Sequence, residues 1–320
     1  MKSVLPAVLL VALLAIVSLF VGVSDVSPAM LFSRTPEAEA VQILLISRIP
    51  RTLAIILVGT AMAVAGMIMQ MLARNRFVEP SMAGTTQSAA LGMLTVTLVA
   101  PAWPVYGKML VAAVFALAGT ALFLGILRKV PLRSVLLVPL IGIMLGGVID
   151  AITTFLAYRF DLLQSLGAWM SGDFSVVLRG RYELLWIAFV LTILAYIAAD
   201  RFTVAGMGED FATNLGLDYR KVVTLGLVIV ALVSAVVVVT VGSIPFLGLI
   251  VPNVVRTAMG DNVKRITPWV ALTGAGLVLA CDIVGRVIRA PFEIPIGTMM
   301  GVVGSVLFLS ILLRKRRQLG

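Results

Sequence analysis

The sequence predicts an all-α integral membrane protein of about ten spans. Three observations carry that expectation. Apolar residues make up 61% of the 320 residues and fall into runs of near-bilayer length, separated by short connectors. Mean hydropathy is +1.12, and only 12% of residues are charged, too little polar surface for a soluble particle of this size. The basic residues sit at the ends of the runs, where they report topology, and form no stripe of the kind nucleic acid requires. A spanning helix needs roughly 20 mostly apolar residues, because lipid offers no partner to backbone N–H and C=O groups.

Taken in order, the expected spans are Val4 to Val23, Leu53 to Leu72, Ala83 to Ala100, Val105 to Leu127 and Val135 to Ala157. Leu184 to Ala199, Val222 to Val241, Phe246 to Met259, Trp269 to Val287 and Ile296 to Leu313 follow. The first run exceeds the usual core of a signal peptide and has no convincing small-residue cleavage site after it, so it reads as a retained helix. The third opens in the polar stretch Glu79-Pro80-Ser81 and Gly84-Thr85-Thr86-Gln87-Ser88. The eighth is too short for a full crossing and opens in Gly242-Ser243-Ile244-Pro245. Both read as broken helices, which survive at membrane depth only where protein buries them or water lines them. With one break in each half, an internal structural repeat is a guess that no residue-level similarity backs.

Small residues recur at helix-packing spacing: Gly142 with Gly146, Gly297 with Gly301, and the run Gly59, Ala61, Ala63, Ala65, Gly66. Tight bundle packing accounts for them without a functional role. The whole chain, 1–320, reads as a single transmembrane domain.

Charge sets the orientation. With a cytoplasmic N-terminus, 16 basic residues fall inside: Lys2, Arg74, Arg76, Arg128, Lys129, Arg133, Arg201, Arg220, Lys221, Arg256, Lys264, Arg265 and Arg314 to Arg317. The nine on the other side are Arg34, Arg48, Arg51, Lys108, Arg159, Arg179, Arg181, Arg286 and Arg289. The positive-inside rule then expects both termini in the cytoplasm and an even number of spans. The stretch Arg201 to Lys221 becomes the longest polar segment inside the cell. It reads as two short helices around Gly216, a residue free to adopt the left-handed turn that ends the first. Phe211, Leu215 and Leu217 give it an apolar side with no core of its own to join, as suits a segment that docks on a partner.

Several chemistries are absent. No phosphate loop occurs, so any ATP, with its Mg, is handled by another subunit. The chain has no histidine and one cysteine, Cys281, which excludes internal disulfides and the commonest metal ligand and general base. With no nucleophile elbow or metal cluster to assemble, no catalytic or metal-binding residue is expected. An ionisable group inside a span costs roughly 2.5 to 3.5 kcal/mol on insertion scales, so Asp150 and Asp282 each require a reason. Asp282 stands four residues before Arg286 and can form an ion pair on one helix face; a functional role is the other reading. For Asp150, burial against a neighbouring helix comes first and a pathway role second. Either carboxylate could serve an ion-coupled secondary transporter, a rival reading.

Three segments carry a resemblance. The first is Arg48-Ile49-Pro50-Arg51-Thr52-Leu53-Ala54, leading through Gly66 and Gln70 to Asn75 and Glu79-Pro80. The second is Gly208-Glu209-Asp210-Phe211-Ala212-Thr213-Asn214-Leu215-Gly216. The third is GSIPFLGLIVPNVVR, residues 242–256, continuing through Asp282-Ile283-Val284-Gly285-Arg286 to Ala290-Pro291-Phe292-Glu293-Ile294-Pro295-Ile296-Gly297. In order and spacing this is similar to the permease subunits of ABC importers for iron–siderophore complexes, heme and cobalamin. The resemblance covers nearly the whole chain.

It implies the type II ABC importer permease fold in the cell membrane, paired with a second permease copy or a related permease. It also implies two ABC ATPase subunits carrying ATP and Mg, an extracytoplasmic substrate-binding protein, and no cofactor on this chain. Gly208, Glu209, Ala212, Leu215 and Gly216 map onto the family's ATPase-coupling helix pair, and Arg48, Arg51 and Arg286 onto the arginines that meet the binding protein. Arginine suits that task, since its planar fork pairs with carboxylates in defined geometry. Arg286 cannot fully engage both Asp282 and a docking carboxylate, so an exchange of partners is one expectation. The sequence departs from the family at Asn253, where a histidine is usual, and at Arg76, where a proline is usual. Residues 76–86 look like the branch for ferric catecholate or mixed siderophores more than the cobalamin branch, with heme or cobalamin import as the alternative. Gln70, Thr85, Thr86 and Asn253 are the expected pathway-adjacent residues, on their polarity near the breaks; capping and interhelical hydrogen bonds are the competing explanation.

Overall fold

The computed structural model describes residues 4–22, 38–129 and 137–319. Val23, the first two residues of the run beginning at Val135, and the charges Lys2, Arg34 and Arg133 lie outside them. The helices, in chain order, are α1 (Leu5–Phe20), α2 (Ala38–Ile43), α3 (Ile49–Leu72), α4 (Thr85–Val99), α5 (Val105–Lys129), α6 (Leu137–Arg159) and α7 (Leu163–Met170). They continue with α8 (Leu185–Ile197), α9 (Ala199–Gly206), α10 (Glu209–Asn214), α11 (Tyr219–Val241), α12 (Leu247–Met259), α13 (Val263–Ile288) and α14 (Ile296–Leu319). Every one of the ten expected apolar runs is occupied by a helix. Among the described residues five helices are long and apolar enough to cross a membrane, Val41–Leu72, α5, Leu140–Arg159 of α6, α11 and α13, and α8 with α9 passes as one more span bent by 64°.

α3 is the axis of the bundle, packed between α13, α12, α11 and α8. Glycines let it do this. A Cβ on Gly59 would lie 2.7 Å from the Ala275 Cα, and one on Gly66 would collide with the Gly248 backbone. Helices this close gain dispersion contacts where lipid supplies no hydrophobic drive. Gly142, packed on the Met82 carbonyl, and Gly297, packed on Ser171 and Ser243, act alike; Gly301 meets only Pro245, at 4.0 Å.

The second span begins earlier than the expected Leu53. Helix α2 runs through a π-helical turn, Leu44–Arg48, directly into α3. Pro50 lacks the N–H that would bond the Ile46 carbonyl, and that carbonyl instead accepts from the Arg179 backbone N–H at 3.0 Å. The wider turn absorbs the proline. α13 likewise starts before the expected Trp269, because Asn262 caps it by accepting from the Arg265 N–H at 3.0 Å and Lys264 reaches Asp200 at 2.8 Å. Charged residues at these ends belong to the helices instead of terminating them.

Both expected breaks are present. Before α4 the chain makes a 3-10 turn, Pro80–Ala83, and Gly84 takes the left-handed conformation at φ 72°. Before α12, Phe246 is itself left-handed, at φ 65°. Pro252 lies inside α12 and frees the Gly248 carbonyl. The two breaks meet: Pro80 packs on Gly248, and the buried Glu79 carboxylate accepts from the Ser81 hydroxyl at 2.6 Å and from the Phe246 N–H at 3.4 Å. A carboxylate beside the first turn of α12 complements that helix's dipole.

Candidate functional site

One end of the bundle gathers the three predicted docking arginines. Arg48 and Arg51 come from the π turn and the start of α3, and Arg286 from the last turn of α13. Arg51 donates through Nε and Nη2 to one oxygen of Asp282, at 3.2 and 2.7 Å, and through Nη1 to Glu293 at 2.6 Å. Arg286 pairs with the other oxygen of Asp282. It also donates to the Ser18 hydroxyl at 2.6 Å and to the Ser18 and Val21 carbonyls at 3.0 and 2.6 Å. Arg48 donates to the Leu19 carbonyl at 2.8 Å. The expected Asp282–Arg286 pair is therefore one edge of a larger network that ties α1, α3 and α13 together.

All three arginines are buried within the chain, at 6%, 9% and 6% exposure, and the Asp282 side chain is fully enclosed. Among the described residues three guanidiniums face two carboxylates, leaving a net positive charge. Glu293, the most exposed member with a side chain 24% open, was quoted in the sequence motif without a role. Its only sequence signal is its place in the proline-bounded loop after α13.

The opposite end carries α9 and α10. α10 ends as the sequence expected: Gly216 is left-handed at φ 78°, its N–H bonds the Thr213 carbonyl at 2.9 Å, and the Leu217 N–H bonds the Ala212 carbonyl at 3.0 Å. That pair of bonds is a Schellman cap. The helix after Gly216 is not short, however; it is the start of α11, capped by Asp218 accepting from the Lys221 N–H at 3.1 Å. Hydrogen bonding to Lys221 holds the Asp218 carboxyl below its usual range. Of the five predicted coupling residues, Ala212 is buried against the bundle, while Glu209, Leu215 and Gly216 are exposed together with Phe211 and Met207. Gly208 approaches Arg74. Between α10 and the ends of α3, α5 and α11 lies a cavity of about 590 Å³, bordered by Arg74, Glu209, Tyr219 and Arg220.

The four polar residues near the breaks divide into two pairs. Gln70 donates to the Gly248 and Leu249 carbonyls at 3.1 and 3.2 Å, satisfying the acceptor that Pro252 frees. Asn253 donates to the Leu249 and Arg76 carbonyls, both at 2.8 Å. Thr85 shares a 2.8 Å hydrogen bond with Thr120, and Thr86 is buried beside it. The two departures from the family pattern are thus joined: Asn253 grips the backbone of Arg76, whose guanidinium pairs with Asp261 at 2.8 Å. Glu79, at the meeting of the breaks, is the buried carboxylate that sequence reasoning passed over. The expected burial of Asp150 is corrected: its side chain is exposed on α6.

Residues 9–314 match the FecCD transport family. The chain belongs to that family. It is 48% identical over 308 residues to the petrobactin import system permease protein YclN of Bacillus subtilis, covering 96% of this chain and 97% of that one. It is 42% identical to the ferric-anguibactin transport system permease protein FatD of Vibrio anguillarum, over 93% and 94% of the two chains. Among solved structures, a metal-chelate type ABC transporter in an inward-facing conformation superposes with a TM-score of 0.83 at 25% identity, over 97% of this chain and 98% of that one. The FecCD chain described here is accordingly a multi-pass membrane permease, a transport subunit and not an enzyme.

Proposed function

We propose that this chain is the translocation subunit of an ATP-driven importer for a ferric siderophore of catecholate or mixed type. The observation that carries this is near-full-length similarity to permeases named for petrobactin and anguibactin. The whole of 1–320 acts as one permease domain, with both termini cytoplasmic, beside a second permease chain. Two ATPase subunits hold ATP and Mg and grip the exposed face of α10 at Glu209, Leu215 and Gly216, with Gly208 and Ala212 fixing how α10 leaves the bundle. A binding protein delivers cargo to the opposite end, at Arg48, Arg51 and Arg286.

The geometry constrains how that docking works. Because Arg51 and Arg286 are already paired, an incoming carboxylate competes with Glu293 or Asp282 and cannot simply add to a bare cation. Pathway roles for Gln70, Thr85, Thr86 and Asn253 lie in holding the breaks in place more than in touching cargo, supported by the internal hydrogen bonds of Gln70, Thr85 and Asn253 and by the burial of Thr86.

The test is uptake of ⁵⁵Fe-siderophore into liposomes holding the permease pair and ATPases, with binding protein outside and ATP inside. Uptake that requires ATP hydrolysis is expected. Uptake driven by a proton or sodium gradient without ATP overturns the proposal.

A further inference from the structure

α5 and α11 pack on each other, but Ala121 and Gly125 on one and Ala231 on the other are too small to fill the space between them. A groove of about 230 Å³ remains, walled also by Leu117, Leu124 and Val228. Gly125 is exposed in it, and nothing lies within 4 Å of a Cβ built there. Leu124 and Leu227 border both this groove and the cavity of about 590 Å³ beside α10, so the two spaces adjoin. From Leu127 in the cavity to Leu117 in the groove is ten residues of α5, or ~15 Å at 1.5 Å per residue. That is one leaflet of a hydrocarbon core ~30 Å thick.

Polarity changes along this path as it does along a phospholipid. At the cavity end Arg74 and Arg220 are exposed and form no ion pair among the described residues, whereas the adjacent Lys221 is held by Asp218 at 2.9 Å. Glu209 is the acidic residue in the cavity lining, which leaves the two arginines in excess. Lys129 is exposed at the end of α5, adding positive charge on the same side. Tyr219, half-buried in the lining, is a residue type favoured at headgroup depth. Thr224 lies one turn further along α11, ~6 Å deeper, in the groove wall. It is exposed, and its hydroxyl has no partner among the described residues; Thr120, across the groove, spends its own on the Ala116 carbonyl at 2.9 Å. Below the groove mouth only apolar and small side chains follow.

We infer that the cavity and groove together form a binding site for an anionic phospholipid of the leaflet on the α10 side. Arg74 and Arg220 hold the phosphate, since basic pockets between spanning helices suit anionic headgroups. The Thr224 hydroxyl donates to a glycerol ester carbonyl just below it, and one acyl chain fills the groove past Gly125. Gly208 lies against the Arg74 guanidinium, so the headgroup sits beside the residue at which α10 begins. The site goes beyond the importer reading and does not depend on which cargo the permease carries.

The test is photolabelling of the permease with its ATPases in phosphatidylcholine nanodiscs, using trace phosphatidylglycerol or phosphatidylcholine with a diazirine on the acyl chain. Labelled peptides are mapped by mass spectrometry. Phosphatidylglycerol should label residues 117–125 and 224–231 at least fivefold more than phosphatidylcholine, with no such preference on residues 144–155 of α6. Arg74→Gln with Arg220→Gln should abolish the preference. Gly125→Leu, which fills the groove without a clash, should cut labelling of both segments by either lipid, and it serves if the double variant fails to assemble. Equal labelling by the two lipids, an equal preference on α6, or a preference that survives the arginine changes or Gly125→Leu would overturn the inference. So would labelling that appears only when the ATPases are absent, which would assign the cavity to them. Loss of ATP-driven uptake in the unaltered assembly would sink the importer reading and leave this labelling contrast intact.

Discussion

Asp282 is the residue on which the arginine end depends. Its two oxygens neutralise Arg51 and Arg286 at once, in a site that water does not reach. Removing one partner from a buried charge network typically costs about 3–5 kcal/mol, because the remaining charge keeps its desolvation penalty. Asp282→Ala should therefore lower the thermal unfolding midpoint of the detergent-solubilised protein far more than Asp261→Ala, whose carboxylate is 65% open. Glu293→Gln is a different case. It removes the charge that competes for Arg51 at the exposed edge of the network while keeping an acceptor oxygen, so binding-protein affinity should rise several-fold in a surface-immobilised assay, whereas Arg51→Ala should lower it. No change in either variant would remove Arg51 from the docking surface. Gln70→Leu leaves the Gly248 carbonyl buried without a donor, a loss of about 1–3 kcal/mol readable in the same melts. The sequence showed Gln70 as a polar residue in an apolar run; it could not show that Pro252, far along the chain, had orphaned the acceptor it serves.

At the level of elements, α3 and α12 are locked by a glycine pair that tolerates no side chain. Gly66→Val would drive a branched group into the Gly248 backbone and should prevent assembly, seen as loss of a monodisperse peak by size-exclusion chromatography. α10 is built oppositely, buried only at Ala212 and otherwise exposed. Gly216→Val places a β-branched residue at φ 78°, where only glycine is unstrained. With Glu209→Lys, it should abolish binding-protein-stimulated ATP hydrolysis while leaving insertion and melting nearly unchanged; normal stimulation would count against α10 as the coupling element. The end of α10 at Gly216 was legible because a Schellman cap is a local device. The extension of α3 back to Ala38 was not. Arg48 and Arg51 look like span-ending charges until Asp282, 231 residues after Arg51, is seen to neutralise Arg51 and the Leu19 carbonyl to accept from Arg48.

For the molecule as a whole, the two ends and the midpoint are built differently: a charged end rigid through ion pairs, an end that exposes Met207, Phe211 and Leu215 among charged residues, and two breaks meeting at Glu79 between them. Glu79→Ala deletes the acceptor for Ser81 and Phe246 and should uncouple the ends, giving more ATP hydrolysed per chelate imported, while Glu79→Gln, which keeps an acceptor oxygen, should restore part of the ratio. An unchanged ratio in both would leave Glu79 as packing alone.

The sequence by itself determined the class of protein, the ten apolar runs, both breaks and the cap at Gly216, since each depends on composition or on residues within a turn of one another. Tertiary structure alone decided which charges are paired, why the arginines can lie buried, and that Asp150 faces outward. Those outcomes depend on groups brought together from hundreds of residues apart, or on the absence of any neighbour, and neither distance nor absence is written in a linear order of residues.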